Sequence, residues 1–302
     1  MGCELLITCP PMLHSKEQFL PRLLSLNIKT YCPDVVQVLS EQELIELVPK
    51  FDAWIIGDDP ATRRVFEAGR RGRLKAAVKW GIGVDNVDFE ACRNLCIPIT
   101  NTPNMFGREV ADIATGYVIG LARETFLIDR EIRGGAWPKY RGTSLADKCA
   151  GLVGYGDIGR NLAKRLLALD MNVICYDPVL ISAKQLDGIR IAEWPNDMEI
   201  CDFIILTCSL NEGNRHMLNR ETLARCRRGV RVVNVARGGL VDEPALIDAL
   251  ESGHVRSAAL DVFEDEPLPS DSPLREMPYC IFGSHNASNT NEAVWHFSKR
   301  RI

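Results

Sequence analysis

The sequence predicts an α/β protein made of two doubly wound parallel-sheet domains. Three observations carry that prediction. Short apolar, β-branched runs alternate with amphipathic stretches along the 302 residues, the pattern of repeated βα units. A long helical pattern over residues 107–133 interrupts the alternation and divides it in two. The second series begins with a glycine-rich turn set between a strand and a helix.

In the first series the strand candidates are ELLITC (4–9), VVQVL (35–39), AWIIG (53–57), AAVKW (76–80) and IPIT (97–100). SEQELIELVPK and VDFEACRNL read as helices between them, and Ser40-Glu41-Gln42-Glu43 has capping-box spacing. GREVADIATGYVIGLARETFLIDREIR follows as one helix, apolar around much of its circumference and so expected to bury several faces between domains or subunits. The loop GGAWPKYRGTS marks a junction. The second series then runs KCAGLVG, NVICYD, CDFIILTC, RVVNVA, SAALDVF and YCIFG, with GRNLAKRLLALD, NRETLARC and EPALIDALES as helices. The division expected is an outer domain of residues 1–100 and a central domain of residues 101–290. A last helix, NEAVWHFSKRRI, returns residues 291–302 to the outer domain.

Composition narrows the function classes. A net charge of −4, mixed in sign along the chain, argues against nucleic acid or an acidic membrane as partner. No apolar run reaches the length of a membrane span, and the N-terminus MGCELLITCP does not have the form of a signal peptide. Eleven scattered cysteines with no C-x-x-C pair read as reduced thiols of a cytoplasmic protein. No metal site is expected.

The glycine-rich turn is Gly154-Tyr155-Gly156-Asp157-Ile158-Gly159. In strand–turn–helix context it has a mechanism. Gly154 makes the tight turn, Gly156 lets a pyrophosphate approach the backbone, and Gly159 lets the helix pack on the strand. The helix N-terminus offers N–H groups and the positive dipole end to phosphate. Asp177, 23 residues after Gly154 and closing the strand NVICYD, is placed to accept both ribose hydroxyls of an adenosine and to repel a 2′-phosphate. The central domain therefore reads as a Rossmann domain that takes NAD rather than NADP.

Three further strand ends carry unusual polar residues. RVVNVARGG ends in Arg237, AALDVFEDEP carries Asp261, Glu264, Asp265 and Glu266, and CIFGSHNAS delivers His285. Ligands of open α/β sheets bind beyond the carboxyl ends of strands, where these residues converge. A guanidinium holds a carboxylate bidentately and polarises a neighbouring carbonyl, and an imidazole beside a carboxylate is a proton donor near neutral pH. Beside a nicotinamide, Arg, Glu and His make a site that reduces a 2-oxo acid or oxidises a 2-hydroxy acid.

At these residues the chain resembles the D-isomer-specific 2-hydroxyacid dehydrogenases, the family of phosphoglycerate, glycerate, hydroxypyruvate and D-lactate dehydrogenases. The resemblance covers nearly the whole chain through KWGIGVDNVD, NTPNMFGREVADIA, GLVGYGDIG with YDP, VVNVARGGLVDEPAL, AALDVFEDEP and SHNAS, in the family's order. It implies a flavodoxin-like outer, substrate domain beside the Rossmann domain. It implies Arg237, Glu266 and His285 as the catalytic set, Glu266 being chosen because it precedes Pro267, with Glu264 and Asp265 left as solvated loop charges. Formate-type relatives have Gln where Glu266 stands. The resemblance further implies that the backbone N–H groups of Ile82 and Gly83 hold the substrate carboxylate, and that Asp157 and Ile158 approach the pyrophosphate. Cys208 would lie along the adenosine, with Val235, Ala236 and Asp261 around the nicotinamide. It implies a homodimer through residues 107–133. The alternative is an NAD-sensing binding protein, like the co-repressors of this fold; a lack of long disordered flanks favours the enzyme.

Some positions depart from the family pattern. Gly57-Asp58-Asp59 stands where phosphoglycerate dehydrogenases carry an arginine, and acidic groups there would repel a phosphate, which speaks against 3-phosphoglycerate. Lys79 replaces a second arginine, keeping the charge without bidentate geometry. Ser284 replaces a proline before His285, leaving that backbone freer. The chain ends sooner than most relatives, with no C-terminal regulatory domain expected. His14, His216, His254 and His296 read as solvated or locally bonded histidines.

Overall fold

Apolar β-branched strands with helices between them bury both faces of a parallel sheet, and two such sheets form. A computed structural model describes residues 2–182, 185–186 and 188–293. The described residues divide into two units, those within 1–106 and 289–302 and those within 107–288. The helix expected over residues 291–302 lies, beyond Ala293, outside the described residues.

In the first unit the elements run β1 (Cys3–Ile7), α1 (Pro10–His14), α2 (Lys16–Ser25), β2 (Ile28–Tyr31), α3 (Glu41–Leu47), β3 (Ala53–Ile56), α4 (Arg63–Arg71), β4 (Ala76–Lys79), α5 (Phe89–Asn94) and β5 (Ile99–Thr100). The strands are all parallel in the order β2-β1-β3-β4-β5, the flavodoxin-like winding. Leu6, Trp54, Ile56, Val65 and Phe66 fill its core. Ser40 caps α3 in the predicted box, its hydroxyl accepting the Glu43 N–H while Glu43 accepts that of Ser40.

The strand expected over VVQVL does not form. Residues 35–39 are irregular, with Val36 85 % exposed, and Ile28–Tyr31 takes the edge beside β1 instead. Local β propensity is real only where a sheet neighbour and a buried face are available.

The second unit runs α6 (Gly107–Arg123), α7 (Thr125–Arg133), β6 (Cys149–Val153), α8 (Asp157–Ala168), β7 (Asn172–Tyr176), β8 (Gln185–Leu186), β9 (Ile189–Ala192), β10 (Phe203–Leu206), α9 (Arg220–Arg225), β11 (Val230–Asn234), α10 (Glu243–Glu251), β12 (Val255–Leu260) and β13 (Ile281–Phe282). The sheet order is β13-β12-β11-β10-β6-β7-β9-β8, parallel except for the short β8–β9 pair. Counted from β6, the parallel strands follow the Rossmann order 3-2-1-4-5-6 with β13 added. The strand order reverses between β6 and β10, which places a ligand crevice beyond their carboxyl ends. β10 is wholly buried, and Ile204, Leu206, Val232 and Leu246 lie at the centre of the core. Burying each such side chain contributes about 1.5–3 kcal/mol.

The long helix is two helices. Glu124 sits in the left-handed region (φ 55, ψ 32) between α6 and α7, and its carboxylate accepts from Arg256 at 2.8 Å. Neither Gly nor Pro marks the break; an ion pair to β12 holds it. Val110, Ala114, Val118 and Leu121 are buried, but Ile113 and Phe126 are 39 % and 44 % exposed.

Candidate active site

The nucleotide loop follows from the backbone. Gly154 has φ +95, and a Cβ there would stand 2.7 Å from the backbone of Cys208. A Cβ on Gly159 would run into the Gly154 carbonyl, whereas one on Gly156 would meet nothing within 4 Å. Two glycines therefore serve packing and the third leaves open space at the N-terminus of α8, as a phosphate needs. Thr207, buried after β10, donates to the carbonyls of Val153 and Gly154 at 3.0 and 2.9 Å and so holds the loop closed.

Asp177 lies just beyond β7. Its Oδ2 accepts the Tyr155 N–H at 2.8 Å and its Oδ1 the Val179 N–H at 2.9 Å. Each carboxylate oxygen has a second lone pair, so a diol can still be accepted. Asp157 opens α8; its side chain takes the first N–H of α6, from Gly107, at 3.1 Å and bonds Asn161. Ile158 is half-buried in the first turn. Cys208 is half-buried beside Gly154, and burial pushes its thiol up to about 11, so it is a packing group rather than a nucleophile. These residues fit a dinucleotide.

Beyond β11, Val235 and Ala236 are buried and Arg237 is half-buried. Asn234, 1 % exposed at the strand end, accepts the Ala236 N–H at 3.0 Å and donates to the Arg237 carbonyl at 2.8 Å. Arg237 Nη1 turns back to the Ala236 carbonyl at 2.8 Å. Asn234 was not singled out from the sequence, although a polar residue inside an apolar strand is the signal that finds it.

Glu266 and His285 come together. Nδ1 of His285 stands 2.8 Å from Glu266 Oε2, and Glu266 Oε1 accepts the Phe263 N–H at 3.0 Å. Both side chains are 20 % exposed. Engagement of Nδ1 by the carboxylate fixes the orientation of the ring. His285 is left-handed (φ 54), and its N–H donates to the Asp261 carbonyl at 2.6 Å.

Asp261, 3 % exposed, accepts from Ala287 N–H at 3.0 Å, Asn286 N–H at 3.4 Å and Tyr117 hydroxyl at 3.4 Å. Burial raises its carboxyl above the usual range. It braces the histidine loop, and that backbone is tied at residues 285–287 despite Ser284.

Glu264 corrects an expectation. It is not a solvated loop charge: its side chain is 22 % exposed and pairs with His216, a histidine that the sequence left without a role. Its partner comes from a segment 48 residues away, invisible to local pattern.

Ile82 and Gly83 belong to the first unit, half-buried in the loop after β4, where Asn101 donates to the Ile82 carbonyl at 3.2 Å. Below that loop Lys79, 1 % exposed, gives its ammonium to the Gly57 carbonyl at 2.6 Å and to Asp58 at 2.9 Å. Asp59 is fully buried, accepting from Thr8, Leu39 and Gly57, and burial raises its carboxyl.

All eleven cysteines are free thiols. Among the described residues no group of three or more His, Cys, Asp or Glu could hold a metal ion, and no helix is long and apolar enough to cross a membrane.

Comparison with known proteins agrees with this architecture. Residues 115–287 match the model of the D-isomer specific 2-hydroxyacid dehydrogenase NAD binding domain. The chain is 35 % identical over 265 residues to D-3-phosphoglycerate dehydrogenase of Methanocaldococcus jannaschii, covering 86 % of this chain and 50 % of that one. It is 36 % identical over 242 residues to hydroxypyruvate reductase of Thermotoga maritima, covering 79 % and 78 %. The structure of the TT0316 protein from Thermus thermophilus superposes with a TM-score of 0.85 at 28 % identity, over 98 % of this chain and 93 % of that one. The chain spans about half the length of the phosphoglycerate dehydrogenases it matches.

Proposed function

The chain belongs to the D-isomer specific 2-hydroxyacid dehydrogenase family, and on that premise we propose that it interconverts a D-2-hydroxy acid and its 2-oxo acid with NAD. The observation that carries the proposal is the His285–Glu266 pair, 2.8 Å apart on strand-end loops of the NAD binding domain. NADH, when bound, supplies the hydride. The open space at Gly156, with the backbone of Asp157 and Ile158 at the N-terminus of α8, suits the pyrophosphate. Asp177 suits the adenosine ribose and disfavours a 2′-phosphate. Cys208 would lie along the adenosine, and Val235, Ala236 and Asp261 beside the nicotinamide.

Arg237 anchors the substrate carboxylate through paired N–H donors and polarises its 2-oxo group. His285 gives the proton on Nε2 to the carbonyl oxygen, and in the oxidative direction takes the hydroxyl proton. Glu266 favours the imidazolium and fixes the ring through Nδ1. The assignment of a carboxylate to the backbone of Ile82 and Gly83 rests on the resemblance alone.

An unphosphorylated substrate is favoured, because the Lys79 charge is already met by Asp58. A soluble homodimer acting in the cytoplasm is part of the proposal. Phe126, Ile132 and Trp137 on and after α7, with Trp137 75 % exposed, supply apolar surface for a second copy.

The test is a panel of glyoxylate, hydroxypyruvate, pyruvate, 3-phosphohydroxypyruvate and branched 2-oxo acids with NADH and NADPH. Turnover of an unphosphorylated acid with NADH is expected. A protein that bound NADH and reduced none of them would instead be an NAD sensor.

A further inference from the structure

The loops that carry Arg237 and Glu266 are joined by a histidine to which the catalytic reading gives no role. His216 lies between β10 and α9 in the left-handed region (φ 52). Its backbone N–H donates to the Gly239 carbonyl at 2.8 Å, two residues beyond Arg237. Its Nε2 bonds the Glu264 carboxylate, two residues before Glu266. One residue is thus fastened to both loops, to one by its main chain and to the other by its ring.

Glu264 is held from the other side as well. Its carboxylate accepts the Glu243 N–H at the start of α10 at 3.4 Å, and its own N–H donates to the Glu243 carboxylate. The loops also meet directly, because a Cβ on Gly238 would overlap the carbonyl of Phe263. Phe263 in turn donates its N–H to Glu266 Oε1 at 3.0 Å, and Glu266 Oε2 engages His285. A continuous run of short contacts leads from the His216 ring through residues 263–264 to the proton-transferring imidazole. Charges around this run include Arg215, 3.9 Å from Glu264, Asp261 beside His285, and the carboxylates of Asp265 and Glu266, which with Glu264 raise the carboxyl of Glu243 after burial has done so.

We propose that His216 is a positioning residue: by tying the Glu264 side chain to the Arg237 loop it keeps Glu266 aimed at Nδ1 of His285. The proposal rests on Glu266 and His285 being the acid–base pair. Loss of the tie leaves the loop free to shift, and a displacement of about 1 Å at a reacting group is enough to cost up to ~10²-fold in rate. Nucleotide binding, which uses the β6–α8 turn, is untouched.

The experiment compares His216→Gln with His216→Asn in the full chain. Both amides fill the site, but only glutamine carries a donor far enough out to reach Glu264. Two readouts are taken: kcat and KM with the best 2-oxo acid and NADH, and the NMR titration of the His285 ring, assigned from its loss in His285→Gln. For His216→Asn the expectation is a kcat lowered about tenfold, below the ~10²–10⁴ that acid–base catalysis supplies, with the KM for NADH unchanged. Its His285 midpoint should fall, because a displaced Glu266 no longer favours the imidazolium; Asp261, which also acts on His285, is unaltered. His216→Gln should restore both. Equal kcat and equal His285 midpoints in the two variants and the parent would overturn the proposal. If the parent reduces no 2-oxo acid, the functional reading fails by itself, while the His285 titration still decides whether His216 positions Glu266.

Discussion

The loop after β12 holds two histidine–carboxylate pairs, Glu264 with His216 and Glu266 with His285, and they differ in which ring nitrogen meets the acid. His285 meets Glu266 through Nδ1, the nitrogen nearer its own backbone, and in the proposed function its outer nitrogen serves the ligand. His216 spends its outer nitrogen on Glu264. Both residues are left-handed at nearly the same φ, 54 and 52. Similar chemistry on a similar backbone is proposed to give one pair that moves a proton and one that holds a loop. In these proposals the roles differ by which ring nitrogen each carboxylate engages, and a count of acid–base pairs does not reveal it.

The largest effect should come from the acting pair. His285→Ala is expected to lower kcat by ~10²–10⁴-fold while NADH still binds, as fluorescence titration of NADH would read. Equal losses from His285→Ala and His216→Ala would erase the distinction between the two pairs.

Gly238→Ala comes next. The added methyl overlaps the Phe263 carbonyl, so the Arg237 and Glu266 loops must separate. Overpacking of this kind costs about 1–3 kcal/mol of stability, seen in denaturant unfolding, and kcat should fall further than in His216→Asn because both loops move.

A holding carboxylate in the first unit sharpens the contrast. Asp52 accepts the Glu4 N–H and pairs with Lys75 and Arg73, and these hold its carboxyl down to about 2. A depressed carboxyl stabilises the fold above its unfolded value, near 3.8, and that contribution is lost as pH falls through about 2. Asp52→Asn should therefore lower Tm at neutral pH without changing kcat, and the gap in Tm should close between pH 4 and 2. A gap that widened toward acid would contradict the ion-pair account.

The smallest effect is expected at Ser284→Pro. Residues 285–287 are already bonded to Asp261, so kcat and its pH profile should stay as in the parent. A sharper pH profile or faster turnover would show that the histidine loop is looser than those bonds imply.

Much of the architecture was legible because it rests on local pattern. Gly156 and Gly159 between a strand and a helix, Asp177 at the next strand end, and the capping box at Ser40 each follow from contacts within a few residues or one βα unit, while Gly154 also meets Cys208 after β10. The misses share one cause. VVQVL has strand composition but no sheet edge to join. The helix break at Glu124 is held by Arg256, 132 residues on. Glu264 looked solvated because His216 lies 48 residues before it.

The order of residues alone specifies two parallel sheets, a dinucleotide turn after one strand, and an arginine, a glutamate and a histidine at the ends of others. Spacing, periodicity and residue chemistry suffice for that, since each strand end is announced by its own neighbours. Which glutamate meets which histidine, through which ring nitrogen, and which buried groups hold the loops still emerge only in the folded chain. Those choices are made by side chains brought together from distant segments when the sheet forms, and a one-dimensional pattern carries no record of which of several equivalent acids will lie within 3 Å.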